Sequence, residues 1–173
     1  NGVGSKIIEL NVSNGTSLDN SNTRYNLLTD IDVSQNTALR RLVVRGNNQL
    51  SSGTLNISNN TLLTFIQADV TELNSISLTN NKVLTDVRLY DANLPSEVLD
   101  QIVIDLDSHG LKDGNLEIRA NSGELTNVSF TAYANLTSKG WKIDVDSPIA
   151  PPDIEAPIIG ILTSPSNVSQ TSL

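Results

Sequence analysis

The chain has no cysteine and no methionine, and it has only one histidine and one tryptophan. Because cysteine is absent, neither a disulfide framework nor a thiolate metal site can form. No stretch approaches the roughly 18 consecutive apolar residues that a membrane-spanning helix needs, so we expect no membrane insertion. Aromatic residues make up 3% of the chain and hydrophobic residues 38%. A core with so few rings has to be built from many branched aliphatic side chains, which favours regular stacked layers.

Positive charge is also scarce, and so are the groups that catalysis requires. The 173 residues include 11 lysines and arginines against 19 acidic residues, which gives a net charge of −8. Nucleic acid is therefore not an expected partner, because phosphate binding needs clustered basic residues. The one histidine, His109, lies in a sequence typical of a helix end, where a basic residue complements the helix dipole. With no oxyanion motif and no glycine-rich phosphate loop, the sequence predicts a protein that is not an enzyme and needs no cofactor.

Three pairs of aspartates, each two residues apart, are the remaining candidates for metal or acid–base chemistry. They are Asp30 with Asp32, Asp105 with Asp107, and Asp144 with Asp146. Calcium takes about six to eight oxygen ligands, and no loop of the sequence matches an EF-hand or a related calcium-binding pattern. We therefore interpret these aspartates as structural or solvent-facing, and we predict no metal site.

The sequence contains internal repeats. In four segments, an apolar residue, a gap, a second apolar residue and two further gaps precede what is usually an asparagine: LNVSNGTSL (10–18), IDVSQNTAL (31–39), LNISNNTLL (55–63) and ISLTNNKVL (76–84). Variable segments with a similar pattern lie between them: LVVRGNNQL (42–50), IQADVTEL (66–73) and VRLYDANL (87–94). Because side chains on a strand alternate between its two sides, each apolar pair predicts a short strand with both residues facing one core.

The asparagine of the pattern has a predicted role. Asn36, Asn47, Asn60 and Asn81 occupy the same position of their segments. A short amide at this position can bond freed backbone groups of the coils above and below, and so satisfy donors that would otherwise be buried without partners. A further leucine lies three residues before most apolar pairs, and we expect it to complete each layer. Stacking such layers gives a core that grows in one dimension.

These segments resemble the leucine-rich repeats of proteins that flavobacteria and related Bacteroidetes secrete, and IDVSQNTAL (31–39) carries the signature most clearly. The resemblance covers about residues 8–145. It implies an α/β-type repeat solenoid, a right-handed superhelix of short parallel strands that is mostly β and coil, in a protein that is secreted or displayed at the cell surface. Two departures, residues 19–26 in place of the expected second strand and Gly15 at the asparagine position, suggest an irregular N-terminal turn.

The predicted domain organisation has four parts. Residues 1–94 hold the leucine-rich repeats with the irregular N-terminal turn, and residues 95–146 form a helix-containing C-terminal cap. Residues 147–157 are a proline-rich linker, and residues 158–173 resemble the truncated start of a fibronectin type III domain. Within the cap, we predict an amphipathic helix that ends at Gly110, a strand over 114–121, a second helix over 128–138 and a final strand over 141–145.

The residues between the apolar pairs predict where a ligand binds. They are short and polar in the repetitive segments, whereas the variable segments carry arginines and aromatics, which dominate binding energy at interfaces. The candidate ligand-binding residues are Arg41, Arg45, Phe65, Gln67, Arg88, Tyr90 and Arg119. We expect the variable side to be concave and Arg45, Arg88 and Arg119 to stand in one column. The alternative is that these residues form salt bridges with acids along the sheet, namely Asp69, Asp86 and Glu117.

The sequence thus favours a non-catalytic extracellular binding module, for protein recognition or adhesion, within a larger secreted multidomain protein. Its expected partners are an extracellular protein or polysaccharide, together with neighbouring domains of the same chain. The alternative is a carbohydrate-binding accessory domain of a polysaccharide-degrading enzyme. In that case Tyr90 and Phe65 would stack on sugars, and the arginines would hold acidic groups.

Overall fold

In a computed structural model, which describes residues 20–50 and 55–149 of the chain, six short strands form one parallel sheet. The strands are β1 (Asn20–Asn22), β2 (Arg41–Val43), β3 (Phe65–Gln67), β4 (Asp86–Arg88), β5 (Asn115–Glu117) and β6 (Lys142–Asp144). Each strand pairs with the next one along the chain, and the same three positions are in register throughout. Helices α1 (Ser96–Ser108) and α2 (Phe130–Ser138) connect the last three strands. The chain therefore has an α/β repeat fold.

The strands β2, β3 and β4 come from the variable segments and not from the repetitive ones. The prediction of strands at 31–33, 55–57 and 76–78 is wrong, because these residues run as coil and lead into turns. The reason lies in their carbonyl groups. The carbonyl of Val33 accepts hydrogen bonds from the backbone N–H of Asn36 (3.0 Å) and from Nδ2 of Asn60 in the next repeat (3.0 Å). Side-chain amides thus take the place of strand pairing on this side of the core, which we call the coil side.

The polar segment for which we expected an irregular turn contains a strand, followed by a turn and bend over residues 24–26. Its residues Asn20–Asn22 pair with β2 as strand β1. Hydrogen bonds from the N–H of Thr23 to the carbonyl of Val43 (2.8 Å) and from the N–H of Tyr25 to the carbonyl of Arg45 (2.9 Å) continue the pairing. Strand pairing uses backbone groups, so a segment without apolar side chains can still join a sheet. The predictions for Gly15, for most of the linker and for residues 158–173 lie outside the described residues.

The core consists of the predicted apolar pairs and leucines, all of which are buried. The apolar pairs are Leu42/Val44, Ile66/Ala68 and Val87/Leu89 on the sheet side, and Ile31/Val33, Leu55/Ile57 and Ile76/Leu78 on the coil side. The leucines are Leu28, Leu39, Leu63, Leu73 and Leu84. Burying one such side chain stabilises the fold by about 1.5–3 kcal/mol relative to leaving it in water. Each repeat gains this energy only where its neighbours cover it.

The four predicted asparagines are fully buried, and hydrogen bonds from Asn47, Asn60 and Asn81 join adjacent repeats. Nδ2 of Asn60 donates to the carbonyl of Asn36 (2.8 Å), and Nδ2 of Asn81 donates to the carbonyl of Asn60 (2.9 Å). On the sheet side, Nδ2 of Asn47 donates to the carbonyl of Thr23 in the preceding repeat (2.9 Å). The amides of Asn47, Asn60 and Asn81 therefore join repeats as predicted, but they do so mainly by bonding carbonyls. The predicted bonding of a buried donor is seen at Asn47, whose Oδ1 accepts a hydrogen bond from the N–H of Leu28 (3.1 Å).

A fifth asparagine, Asn121, was missed by the sequence analysis and has the same role in the cap. Its Nδ2 donates to the carbonyls of Leu89 (2.9 Å) and Ile118 (2.7 Å). Its Oδ1 accepts hydrogen bonds from the N–H groups of Ala92 (3.1 Å) and Leu94 (3.0 Å). Asn121 follows the apolar pair of β5 at the usual spacing, so the repeat pattern extends into the cap and the signal was present in the sequence.

The predicted helices and strands of the cap are confirmed. Helix α1 buries the apolar residues that the helical spacing indicated, namely Leu99, Ile102, Val103 and Leu106. It packs against α2, and Asp100, 4% exposed, lies between them. The carboxylate of Asp100 accepts hydrogen bonds from the N–H of Thr126 (2.9 Å) and from Oγ of Ser129 (2.5 Å). At the end of the cap, the buried Trp141 donates from Nε1 to the carbonyl of Leu111 (3.0 Å).

Replacing one buried amide should destabilise the fold far more than replacing its exposed neighbour. Asn60→Ala removes two buried hydrogen bonds, to the carbonyls of Val33 and Asn36, and leaves each carbonyl with only the N–H of its own turn, so we expect it to cost about 1–3 kcal/mol. Asn59→Ala removes one exposed hydrogen bond to the carbonyl of Ser34 and should cost less than about 0.5 kcal/mol. Urea unfolding of both variants measures the difference. Equal losses would contradict the assigned role.

Candidate ligand-binding face

Alternate residues of the strands point away from the core and form one face of the sheet, which we call the strand face. The register places in its first row Arg41, Phe65, Asp86, Asn115 and Lys142. The second row consists of Val43, Gln67, Arg88, Glu117 and Asp144. Backbone hydrogen bonds continue the register into a third row with Arg45, Asp69, Tyr90 and Arg119. The seven candidate residues therefore lie on one face.

The prediction that Arg45, Arg88 and Arg119 stand in one column is wrong. Arg45 and Arg119 lie in the third row, whereas Arg88 lies in the second row, between Gln67 and Glu117. The reason is that Arg88 stands between the two apolar residues of its pair, whereas Arg45 and Arg119 follow theirs. All three still point to the same side of the sheet, at different heights along the strands.

Five of the six arginines in the chain lie on the strand face or on its continuation beyond β1. Arg24 is the one that the sequence analysis missed, because we expected residues 19–26 to form an irregular turn. The hydrogen bond from the N–H of Tyr25 to the carbonyl of Arg45 places Arg24 next to the third row. Nη2 of Arg24 donates to Oε1 of Gln67 (2.7 Å).

Two carboxylates hold Arg88. Its Nε and Nη2 donate to the two oxygens of Asp86 (3.0 and 3.1 Å), and Nε lies 3.9 Å from Oε1 of Glu117. The hydrogen bonds to Asp86, with the charges of both acids, raise the pKa of Arg88 above its ordinary value. Pairing through two parallel N–H groups also fixes the plane of the guanidinium.

Arg45 and Arg119 each have one carboxylate partner. Nη1 of Arg45 lies 3.2 Å from Oδ2 of Asp69, whose side chain is 7% exposed. Nε of Arg119 lies 2.9 Å from Oδ2 of Asp144, and both of these side chains are about half exposed. Salt bridges along the sheet, which were the alternative considered from the sequence, are therefore present. Ligand binding by the same residues stays a prediction.

Aromatic rings on the strand face lie against guanidinium groups. The guanidinium carbon of Arg41 is 3.5 Å from the centroid of the Phe65 ring, and that of Arg88 is 5.2 Å from the same centroid. The guanidinium carbon of Arg119 is 4.9 Å from the centroid of the Tyr90 ring. At these distances the ring quadrupole attracts the cation, so the rings restrict the orientations of the arginines.

Part of the strand face is covered by its own long side chains. Val43, Gln67 and Asp69 point away from the core, yet all three are buried. Gln67 is 3% exposed, so it contributes to the face by holding Arg24 and by its 3.5 Å contact with Asp69, and not through exposed surface. The exposed part of the face therefore consists of the arginines and the rings beside them, together with the acids that pair with them, such as Glu117 and Asp144.

The coil side of the repeats is chemically different from the strand face. Its outward residues are short and polar, namely Asp32, Asn56, Ser58, Ser77 and Thr79. The turns that follow them also expose Leu62 and Val83. A hydrogen bond from the N–H of Ser34 lowers the pKa of Asp32 below its ordinary value. The arginines and rings of the strand face have no counterpart among these outward residues, so the strand face is the candidate site.

Two further polar residues, His109 and Asp107, have contacts at the end of α1. His109 follows α1, and its Nε2 lies 3.3 Å from the carbonyl of Thr79. Asp107 lies at the end of the same helix and pairs with Nζ of Lys139 (2.5 Å). Within residues 20–50 and 55–149, no group of three or more histidines, cysteines, aspartates or glutamates could hold a metal ion. In the same part of the chain, no helix has the length and apolar character needed to cross a membrane.

Removing Arg45 should destabilise the protein more than removing Arg119. Arg45→Ala leaves the buried carboxylate of Asp69 without its cation, and we expect a loss of roughly 2–3 kcal/mol. Arg119→Ala breaks a pair that solvent already screens, so it should cost at most about 1 kcal/mol. Urea unfolding at one ionic strength compares the two variants. If both lost the same stability, Asp69 would not depend on Arg45.

Comparison with known proteins gives little similarity. No family model matches the sequence, and no curated protein matches it. A functional domain of InlJ from Listeria monocytogenes, described as including a cysteine ladder, has a similar structure with a TM-score of 0.40 and 20% sequence identity. The similarity covers 76% of this chain and 36% of that one. The function of the present chain is therefore inferred from its own strand face.

Proposed function

We propose that this chain is a leucine-rich-repeat solenoid that serves as a non-catalytic, extracellular protein-binding module of a larger secreted protein. In this proposal the parallel strands lie along a right-handed superhelix, and the strand face contacts the partner. Two features support the solenoid. The strands follow each other in one register, and buried asparagines join each repeat to the one before it. Right-handedness is supported because nearly all crossovers between parallel strands have that hand.

The observation that supports binding is the unequal distribution of side chains between the two sides of the repeats. The strand face and its continuation hold five of the six arginines, together with Phe65 and Tyr90. The coil side exposes mainly serine, threonine, asparagine and aspartate, with Leu62 and Val83 partly exposed in the turns that follow. Arginine and aromatic residues provide most of the binding energy at protein interfaces. A surface that only had to stay soluble would not need this composition on one side.

The contacts within the strand face favour a rigid binding surface. Arg45, Arg88 and Arg119 are held by carboxylates, and Arg41 lies flat on a ring. Side chains that are already ordered lose less conformational entropy when a partner binds, and each immobilised long side chain otherwise costs about 0.5–1.5 kcal/mol. The salt bridges of the face are therefore compatible with ligand contact and do not exclude it.

The alternative partner, a polysaccharide, fits the rings less well. Sugar binding would need an aromatic ring with a free face, and the guanidinium of Arg41 lies 3.5 Å from the centroid of Phe65. Tyr90 has the guanidinium of Arg119 at 4.9 Å. With arginines already against both rings, protein recognition is the function that we favour.

The test starts from a surface-protein extract passed over the immobilised chain. A bound protein is identified, produced in pure form, and its Kd is measured with the wild-type chain and with variants. We expect Tyr90→Ala/Arg119→Ala to raise that Kd by at least about tenfold, since both side chains lie on the strand face. The control, Lys82→Ala/Lys112→Ala, removes two exposed charges outside the face and should change Kd by less than about twofold.

A parallel screen uses soluble neutral and anionic polysaccharides. Micromolar binding of a polysaccharide that the Tyr90→Ala/Arg119→Ala variant loses would favour the carbohydrate-binding alternative. A protein partner whose Kd responds equally to the face variant and to the lysine control would contradict binding through the strand face.

A further inference from the structure

We infer that Arg41, stacked on Phe65, is the anion anchor of the strand face, and that the partner places a carboxylate of an acidic peptide segment on it. The inference rests on the proposed function and specifies the partner's chemistry. The first observation is a difference in pairing. Arg45, Arg88 and Arg119 each have a carboxylate within 4 Å of a guanidinium nitrogen, whereas Arg41 has none in the described part of the chain.

The position of Arg41 explains why no acid of the sheet pairs with it. Asp86 is the acid in the same row, but Phe65 separates the two positions. Adjacent strands are about 4.8 Å apart, so Asp86 stands two strand spacings away. Asp86 also has both of its oxygens bonded to Arg88. The N–H groups of Arg41 are therefore not paired with an acid of the sheet, while the ring of Phe65 restricts the position of the guanidinium.

The balance of acidic and basic residues also differs between the two ends of the strand face. The part of the face formed by β1 to β3 and their continuations has three arginines and one acid, namely Arg24, Arg41, Arg45 and Asp69. The part formed by β4 to β6 has more acidic than basic groups. The acids are Asp86, Glu117, Asp144 and the adjacent Asp146, and the bases are Arg88, Arg119 and Lys142. In a chain of net charge −8, the β1 to β3 end is a local excess of positive charge, to which an acidic segment is complementary.

The geometry of Arg41 favours a carboxylate as its ligand. A guanidinium presents parallel N–H groups in its own plane, which match the two oxygens of a carboxylate. Stacking covers the face of the guanidinium and leaves its edge available. The ring that an acidic sugar would need for stacking is the same ring that holds Arg41, so an acidic peptide fits this site better than an acidic polysaccharide.

The test follows the arginine Nε–H signals of the chain by NMR during titration with a defined probe. The probe is an octapeptide of alternating aspartate and glycine, and its matched control has asparagine in place of aspartate. We expect the Arg41 signal to move with a Kd of about millimolar, and the signals of Arg45, Arg88 and Arg119 to move less, because carboxylates already occupy them. The asparagine peptide should move none of them.

Two variants test separately the guanidinium group of Arg41 and the ring of Phe65 on which it stacks. Arg41→Lys keeps the charge but has no planar pair of N–H groups, and it should weaken probe binding by at least about fivefold. Phe65→Leu keeps an apolar residue under Arg41 but removes the ring, and it should weaken binding by about the same factor. Unchanged binding in Phe65→Leu would show that stacking does not position the guanidinium, and would overturn the inference.

The other outcomes are equally decisive. The inference is overturned if the probe shifts the signal of Arg45 or Arg88 first, or if it shifts no arginine signal. It is also overturned if a polygalacturonate fragment shifts the Arg41 signal at a lower carboxylate concentration than the peptide does. With the partner found by the test of the proposed function, Arg41→Ala provides the final comparison. If Tyr90→Ala/Arg119→Ala weakens binding of that partner and Arg41→Ala does not, the role assigned to Arg41 is wrong and the proposed function stands. If neither weakens it, both fail.

Discussion

Each repeat of this chain turns around its core, and every turn brings backbone carbonyls to a region that water does not reach. The carbonyls of Val33 and Asn36 each accept one backbone N–H from their own turn, which leaves a second acceptor site on each for a neighbouring repeat. A buried hydrogen bond at such a site contributes about 0.5–1.5 kcal/mol. The buried asparagines occupy these sites with one amide each. Nδ2 of Asn60 bonds the carbonyl of Val33 and that of Asn36, both in the preceding repeat. The same hydrogen bonds that satisfy the carbonyls also fix the distance and register between neighbouring repeats.

A fixed register determines which side chains meet on the strand face. Because adjacent strands are about 4.8 Å apart, a long arginine side chain on one strand reaches the ring or acid at the same height on the next. Arg41 thus contacts Phe65, and Arg45 contacts Asp69. A shift of one repeat by a single residue would turn these side chains into the core. The chemistry of the face therefore depends on amides that lie outside it, inside the turns.

The sequence predicted what depends on local pattern and missed what depends on neighbours. The apolar pairs, the asparagine position and the cap helices follow from spacing within one segment, and these predictions hold. Whether 31–33 is a strand depends on the next repeat, whose Asn60 bonds the carbonyl of Val33. The strand at Asn20–Asn22 has no apolar pair and forms through pairing with β2. Asn121 fits the repeat pattern, but it stands in a region that we read as a cap rather than as another repeat.

For the candidate site, too, the sequence predicted what depends on local pattern and not what depends on neighbouring side chains. The alternation along each strand places the seven candidate residues on one face, but exposure on that face is decided by packing between long side chains. Gln67 points outward and is nevertheless buried, because its neighbours cover it. A paired arginine such as Arg88 has a carboxylate beside it that cancels much of its field at a distance. The sequence pattern places each arginine relative to its apolar pair, but it does not show which arginines have a carboxylate within reach, because that depends on the residue at the same height of the neighbouring strand.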